Sequence, residues 1–188
     1  GLNGAIVATA VALHAFAWSD AAVPGTLDTK GYYELLFWGG GHVLQFTWTL
    51  LLLVAWLLLA DAIGARVPIS PRVATLLFGI GLGAVFATPF IFLAYDVASV
   101  EHHRLQTWLM RFGGGLAIAP VAAAVIWSLI VHRRTSRPLD ARARPLHATL
   151  VASIVLFGGG GLIGFAIHGS NVRIPAHYHG CIVGVTLA

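Results

Sequence analysis

The chain has 188 residues, of which 58% are hydrophobic and 10% charged, with a formal net charge of +4. Soluble domains carry roughly 25% charged residues, so this composition excludes a water-soluble globular domain, and uniformly apolar runs such as residues 49–60 lack the alternation of a spanning β-barrel. The positive charge is gathered in one short loop and is not a nucleic-acid footprint, and the single cysteine, Cys181, excludes an intrachain disulfide framework or a multi-cysteine metal site.

In chain order, apolar segments cover residues 2–18, 33–60, 73–100, 108–131, 148–167 and 175–188. A helix needs roughly 20 apolar residues to cross a bilayer core, which predicts an all-α integral membrane protein with about six transmembrane segments. The second and third are long enough to tilt, and the last is too short to span. The chain opens and stops inside apolar runs, without a starting Met or a signal-peptide n-region. Residues 1–188 are therefore expected to be one partial transmembrane domain of a longer protein. Breakers separate the segments at Pro24-Gly25, between Pro68 and Pro71, between Pro138 and Pro145, and between Gly169 and Pro175.

Orientation follows from Lys and Arg in the short loops. Residues 132–147 carry Arg133, Arg134, Arg137, Arg142 and Arg144, and residues 61–72 carry Arg66 and Arg72. Alternating segments put both loops on one side, which is then cytoplasmic. The loop of residues 19–32, with Asp20, Asp28 and the single lysine Lys30, falls outside, as do the connections 101–106 and 168–175.

Of nine histidines, His42, His102, His103, His168, His177 and His179 fall on the outer half, His14 lies near an outer helix end, and His132 and His147 are on the inner side. Ionisable groups in a membrane are costly and mark function, and imidazole is the commonest nitrogen ligand for haem iron and copper. His177 and His179 are two apart, so a regular helix turns them about 200° from each other. They cannot share one metal but can each bind a different one. His102 and His103 are adjacent at a segment end, where relaxed backbone is expected to aim both at one ion. His42, about two turns into its segment, supplies a third imidazole from another helix.

These residues resemble a known family. Trp38-Gly39-Gly40-Gly41-His42 resembles the sixth helix of the haem–copper oxidase core subunit, and Glu101-His102-His103 resembles the paired copper ligands after its seventh. Ile118-Ala119-Pro120 resembles the proline-containing eighth helix, and the run from Val172 to His179 resembles the tenth-helix signature. The resemblance covers nearly the whole chain, from the fifth to the tenth of twelve core helices. It implies a catalytic subunit of the cytochrome c oxidase or nitric oxide reductase type in a bacterial or archaeal cytoplasmic membrane, with its active site toward the outer side. Copper would be bound by His42, His102 and His103, a high-spin haem by His177, and a low-spin haem by His179. The second ligand of the low-spin haem would lie outside this sequence. Arg173 and Arg111 would face haem propionates, with interfacial snorkelling as the equal alternative. His168 would sit at the outer haem edge or be solvated. Implied partners are O2 or NO, an electron donor of the cytochrome c or cupredoxin type, further respiratory subunits and membrane lipid.

The chain departs from the family pattern at several positions. Phe46 stands where oxygen-reducing members carry the tyrosine tied to the copper ligand, and Tyr95 lies in the segment from which other members supply it. Leu44 replaces a carboxylate of the proton path, and the eighth-helix lysine is missing. Glu34, Asp96 and Glu101 all lie toward the outer side, as expected for a site fed with protons from outside. NO reduction and O2 reduction are thus equally favoured. The glycine runs 113–115 and 158–161 suit close helix packing or room for a flat macrocycle. A protein of a different class fits the same histidines without haem: a polytopic transporter with a histidine proton or metal relay.

Overall fold

The computed structural model describes residues 1–135, 140–169 and 172–188; Arg137 and Pro138 of the basic loop, and Ser170 and Asn171 after His168, lie outside the described residues. Among the described residues there are α-helices, one 3-10 turn and no strand. The helices are α1 (Leu2–Ala22), α2 (Thr29–Ala62), α3 (Pro71–Gly83), α4 (Ala87–Ala94), α5 (Val100–Gly113), α6 (Gly115–Thr135), α7 (Ala143–Phe165) and α8 (Arg173–Leu187). Among the described residues, five stretches are long and apolar enough to cross a membrane: Leu2–Ala22, Thr29–Ala62, Pro71–Ala94, Val100–Arg134 and Ala143–Phe165. The chain is the all-α, multi-helix membrane protein that its composition predicts. At 34 residues, α2 extends about 51 Å at the helical rise, well beyond a hydrocarbon core of roughly 30 Å.

The helices group into two compact units, Gly1–Leu51 with Ser70–Ala119, and Leu52–Ile69 with Pro120–Ala188. In the first unit, α1 buries Ala5, Ala8, Ala12, Ala15 and Ser19. Their alternating spacing of three and four makes one stripe along the helix, and its small side chains let another backbone come close. The Thr9 and Thr47 hydroxyls, on α1 and α2, meet at 3.1 Å. The expected single segment 73–100 is interrupted. Pro89 has no N–H to bond the Val85 carbonyl, and the backbone tightens into a 3-10 turn at Ala84–Phe86, where the Ala87 N–H reaches the Ala84 and Val85 carbonyls.

The helix end after α4 is set by side chains. Asp96 Oδ1 accepts from the Ala98 N–H at 2.8 Å, and the Ser99 hydroxyl donates to the Asp96 carbonyl at 2.6 Å. Ser99 Oγ then accepts from the His102 N–H at 3.2 Å, capping α5, and Glu101 places negative charge in its first turn. Residues 101–106, expected as a connection with relaxed backbone, are therefore helical.

In the second unit, α7 and α8 touch backbone to backbone. A Cβ on Gly160 would lie 2.7 Å from the Cys181 nitrogen, and one on Gly180 would lie 2.9 Å from the Gly160 Cα. The Trp56 indole donates to Ser153 Oγ at 2.8 Å, and Ser153 donates to the Gly184 carbonyl at 2.5 Å, tying α2, α7 and α8 together. Gly64, with φ of +80°, closes α2 while the Ala65 N–H returns to the Ala60 carbonyl at 2.8 Å.

Candidate metal centre

The first unit gathers His42 from α2 with His102 and His103 from α5. Trp38 lies one turn before His42, and its ring packs against both His42, at 5.0 Å between centroids, and His103, at 4.7 Å. Its indole N–H also donates to the His103 carbonyl at 3.2 Å, fixing α2 against α5. Glycine at position 39 makes this approach feasible, because a Cβ there would stand 2.7 Å from the Phe92 ring and 3.5 Å from the His102 ring. Phe92 in turn meets His102 edge-on, with centroids 4.7 Å apart and planes at 76°.

The ring poses determine which nitrogens are left for a ligand. His42 Nδ1 donates to the Trp38 carbonyl, and His103 Nδ1 donates to the Ser99 carbonyl at 3.0 Å. A carbonyl only accepts, so each Nδ1 carries the proton and each Nε2 presents its lone pair. Metal-bound histidines usually anchor their second nitrogen in this way. His102 is fully buried, and neither ring nitrogen has a hydrogen-bond partner among the described residues. Imidazole nitrogen is a donor that copper accepts, so these side chains match the metal in type but not in spacing. Among the described residues no three His, Cys, Asp or Glu side chains stand close enough to hold one ion. His102 and His103, with centroids 6.1 Å apart, share one neighbourhood rather than one coordination sphere.

The second unit holds His177 and His179 on α8. His177 turns toward α7, where Nδ1 donates to the Gly160 carbonyl at 2.7 Å and lies 3.6 Å from Cys181 Sγ. A Cβ on Gly164 would come within 2.8 Å of that ring, so the glycines of α7 make its seat. His179 is exposed on the other face of α8, with Nδ1 on the Pro175 carbonyl at 2.7 Å. The opposed faces expected from a spacing of two are what the helix displays. Both rings keep Nε2 available, and a Cβ on Gly158, Gly159 or Gly161 would meet nothing within 4 Å. The histidine chemistry and this open surface fit haem ligation.

The remaining candidates have local roles. Arg173 donates to the Ala166 carbonyl at 2.7 Å, at the C-terminal end of α7. His168 is exposed, and its Nδ1 also reaches Ala166 O, at 3.1 Å. Phe46 is buried against the α5 terminus, where its ring would lie 3.1 Å from a Cβ on Gly113. Tyr95 ends α4 in extended conformation and is 40% exposed. The sequence reading passed over Gln106 and Thr88, both buried without a hydrogen-bond partner among the described residues. The available signal was a glutamine one turn after His102 within an apolar protein.

Similar curated proteins include the uncharacterized protein RP382 of Rickettsia prowazekii (strain Madrid E), 34% identical over 187 residues that cover 86% of this chain and 36% of that protein. An uncharacterized protein of Aquifex aeolicus (strain VF5) is 32% identical over 156 residues, covering 82% of this chain and 36% of its own. The chain thus spans about a third of the length of these curated relatives. No family model matches it, and no solved structure matches it.

Proposed function

We propose that this chain is part of the catalytic subunit of a respiratory haem–copper oxidoreductase that reduces O2 or NO. The observation that carries this reading is the shared pose of His42, His103, His177 and His179. Each ties Nδ1 to a backbone carbonyl and leaves Nε2 for a metal. The fully buried, unpartnered imidazole of His102 beside His103 supports it further.

In this reading His42, His102 and His103 would hold copper, their rings drawn closer together than they stand without the metal, while His177 would hold the high-spin haem and His179 the low-spin haem. Bound copper and haem iron supply the electron transfer and gas reduction. The chain's own contribution is placement. Trp38 braces the His42 and His103 rings, the Gly160 carbonyl fixes the tautomer of His177, and His177 and His179 on opposed faces of α8 would serve two separate haems. The reading has the basic loop face the cytoplasm and His42, His102, His103, His177 and His179 lie toward the outer half of the membrane.

Metal and haem analysis of the intact protein purified from membranes, joined to O2 and NO consumption with an artificial reductant, tests the proposal. The expected result is haem and copper together, consumption of at least one gas, and loss of copper but not haem in His102→Ala. Folded protein that contains neither cofactor and consumes neither gas contradicts it, and leaves the histidine-relay transporter as the better reading.

A further inference from the structure

The buried residues of α5 are two polar ones, His102 and Gln106, each 0% exposed. Leu105, Leu109 and Met110 of the same helix are only partly buried. Neither ring nitrogen of His102 and neither amide atom of Gln106 has a hydrogen-bond partner among the described residues. Buried polar groups left unpaired cost stability, so two of them side by side call for an explanation.

His102 is also the exception to a pattern. His42, His103 and His179 each turn Nδ1 onto the carbonyl four residues earlier, at Trp38, Ser99 and Pro175. For His102 that carbonyl would belong to Ala98, which precedes the N-cap of α5. Ser99, the N-cap, is extended with ψ of 150°, so Ala98 stands outside the helix and its carbonyl is not lined up beneath the ring. The other buried residue of α5 is Gln106. Side chains four apart stand over each other on a helix, and helical side chains lean toward the N-terminus. Gln106 therefore leans toward His102 along the buried face. An amide oxygen accepts where a ring N–H donates, and both side chains hang from one continuous helix. Rotation about side-chain bonds brings them together without moving the backbone.

We propose that Gln106 is the positioning residue for His102. Its Oε1 accepts a hydrogen bond from the ring N–H, which fixes the tautomer and leaves the lone pair of the other nitrogen free for a metal. Glutamine does for His102 what a main-chain carbonyl does for His42, His103, His177 and His179, and it does so without adding charge. The pairing stands on the two buried side chains alone; its effect on copper rests on the haem–copper reading.

Solid-state NMR of the intact protein in lipid bilayers, with 15N-labelled histidine and 13C-labelled glutamine, tests the pairing. The wild type is expected to show a dipolar correlation between a glutamine side-chain carbonyl carbon and a protonated ring nitrogen. Gln106→Leu and His102→Leu are each expected to remove it. A wild-type spectrum without any such correlation overturns the proposal, and so does a correlation that survives in Gln106→Leu. This readout needs neither haem nor copper, so it succeeds or fails independently of the haem–copper reading. In protein that holds copper, Gln106→Leu is expected to weaken its binding about 10–100-fold, the usual loss when the partner of a histidine ligand is removed. Haem spectra should be unchanged, and Gln106→Glu, which keeps an acceptor, should recover most of the affinity. Copper affinity unchanged in Gln106→Leu removes the metal-site role.

Discussion

Neighbouring glycines of α2 that look alike in the sequence do different work. A methyl group at Gly39 would collide with Phe92 at 2.7 Å, whereas at Gly41 it would meet nothing within 4 Å. Phe92 cannot give way easily, because it is buried in a cluster with Ala15, Val23 and Val97. Gly39→Ala is therefore expected to destabilise the protein by about 1–3 kcal/mol through overpacking, and to loosen copper by displacing Phe92 from His102. Gly41→Ala is expected to be neutral or to stabilise by up to about 1 kcal/mol, since alanine is the better helix former. Thermal unfolding in detergent together with copper content measures both effects; equal effects at the two positions would contradict the packing described. The Trp38–His42 relation was legible in the sequence from its spacing of four. The contact of Phe92 with His102 was not, because it depends on how two helices fold back on each other.

The helices were legible wherever apolar residues run on and were misread where polar residues continue a helix. The segments at 2–18, 33–60 and 148–167 reappear as α1, α2 and α7, with ends that differ by up to five residues. The run Glu101-His102-His103-Arg104 and Gln106 interrupts the apolar pattern and reads as a connection, yet the chain is helical from Val100. Hydropathy detects burial in lipid, whereas helix formation here depends on the Ser99 cap and on the main chain. The 3-10 turn before Pro89 was equally hidden, since proline signals a break without saying how the backbone absorbs it. Ser99→Ala removes the bond to the His102 N–H and should cost about 0.5–2 kcal/mol. Because His102 and His103 lie in that first turn, the account also expects weaker copper retention on dialysis, with haem content unchanged. Stability loss without any change in copper retention would separate the cap from the site.

At the scale of the whole molecule, the sequence conveyed the all-α, multi-helix membrane class. His42, His102 and His103 lie in one compact unit and His177 and His179 in the other. The tight pairing of α7 with α8 through Gly160 and Gly180, and the seating of His177 on that pair, follow from one glycine of the run 158–161 meeting a lone glycine on the next helix, which the sequence does not pair. In the haem–copper reading the gas is the least legible feature, because it would turn on Phe46, Leu44 and Tyr95 rather than on the proposed metal ligands. The central claim is that these histidines hold redox metals. A dithionite-reduced minus oxidised optical spectrum of the intact, folded protein tests it most directly. The account predicts haem bands from two distinct centres, with His177→Ala removing the high-spin component and His179→Ala the low-spin one. A featureless difference spectrum would contradict it.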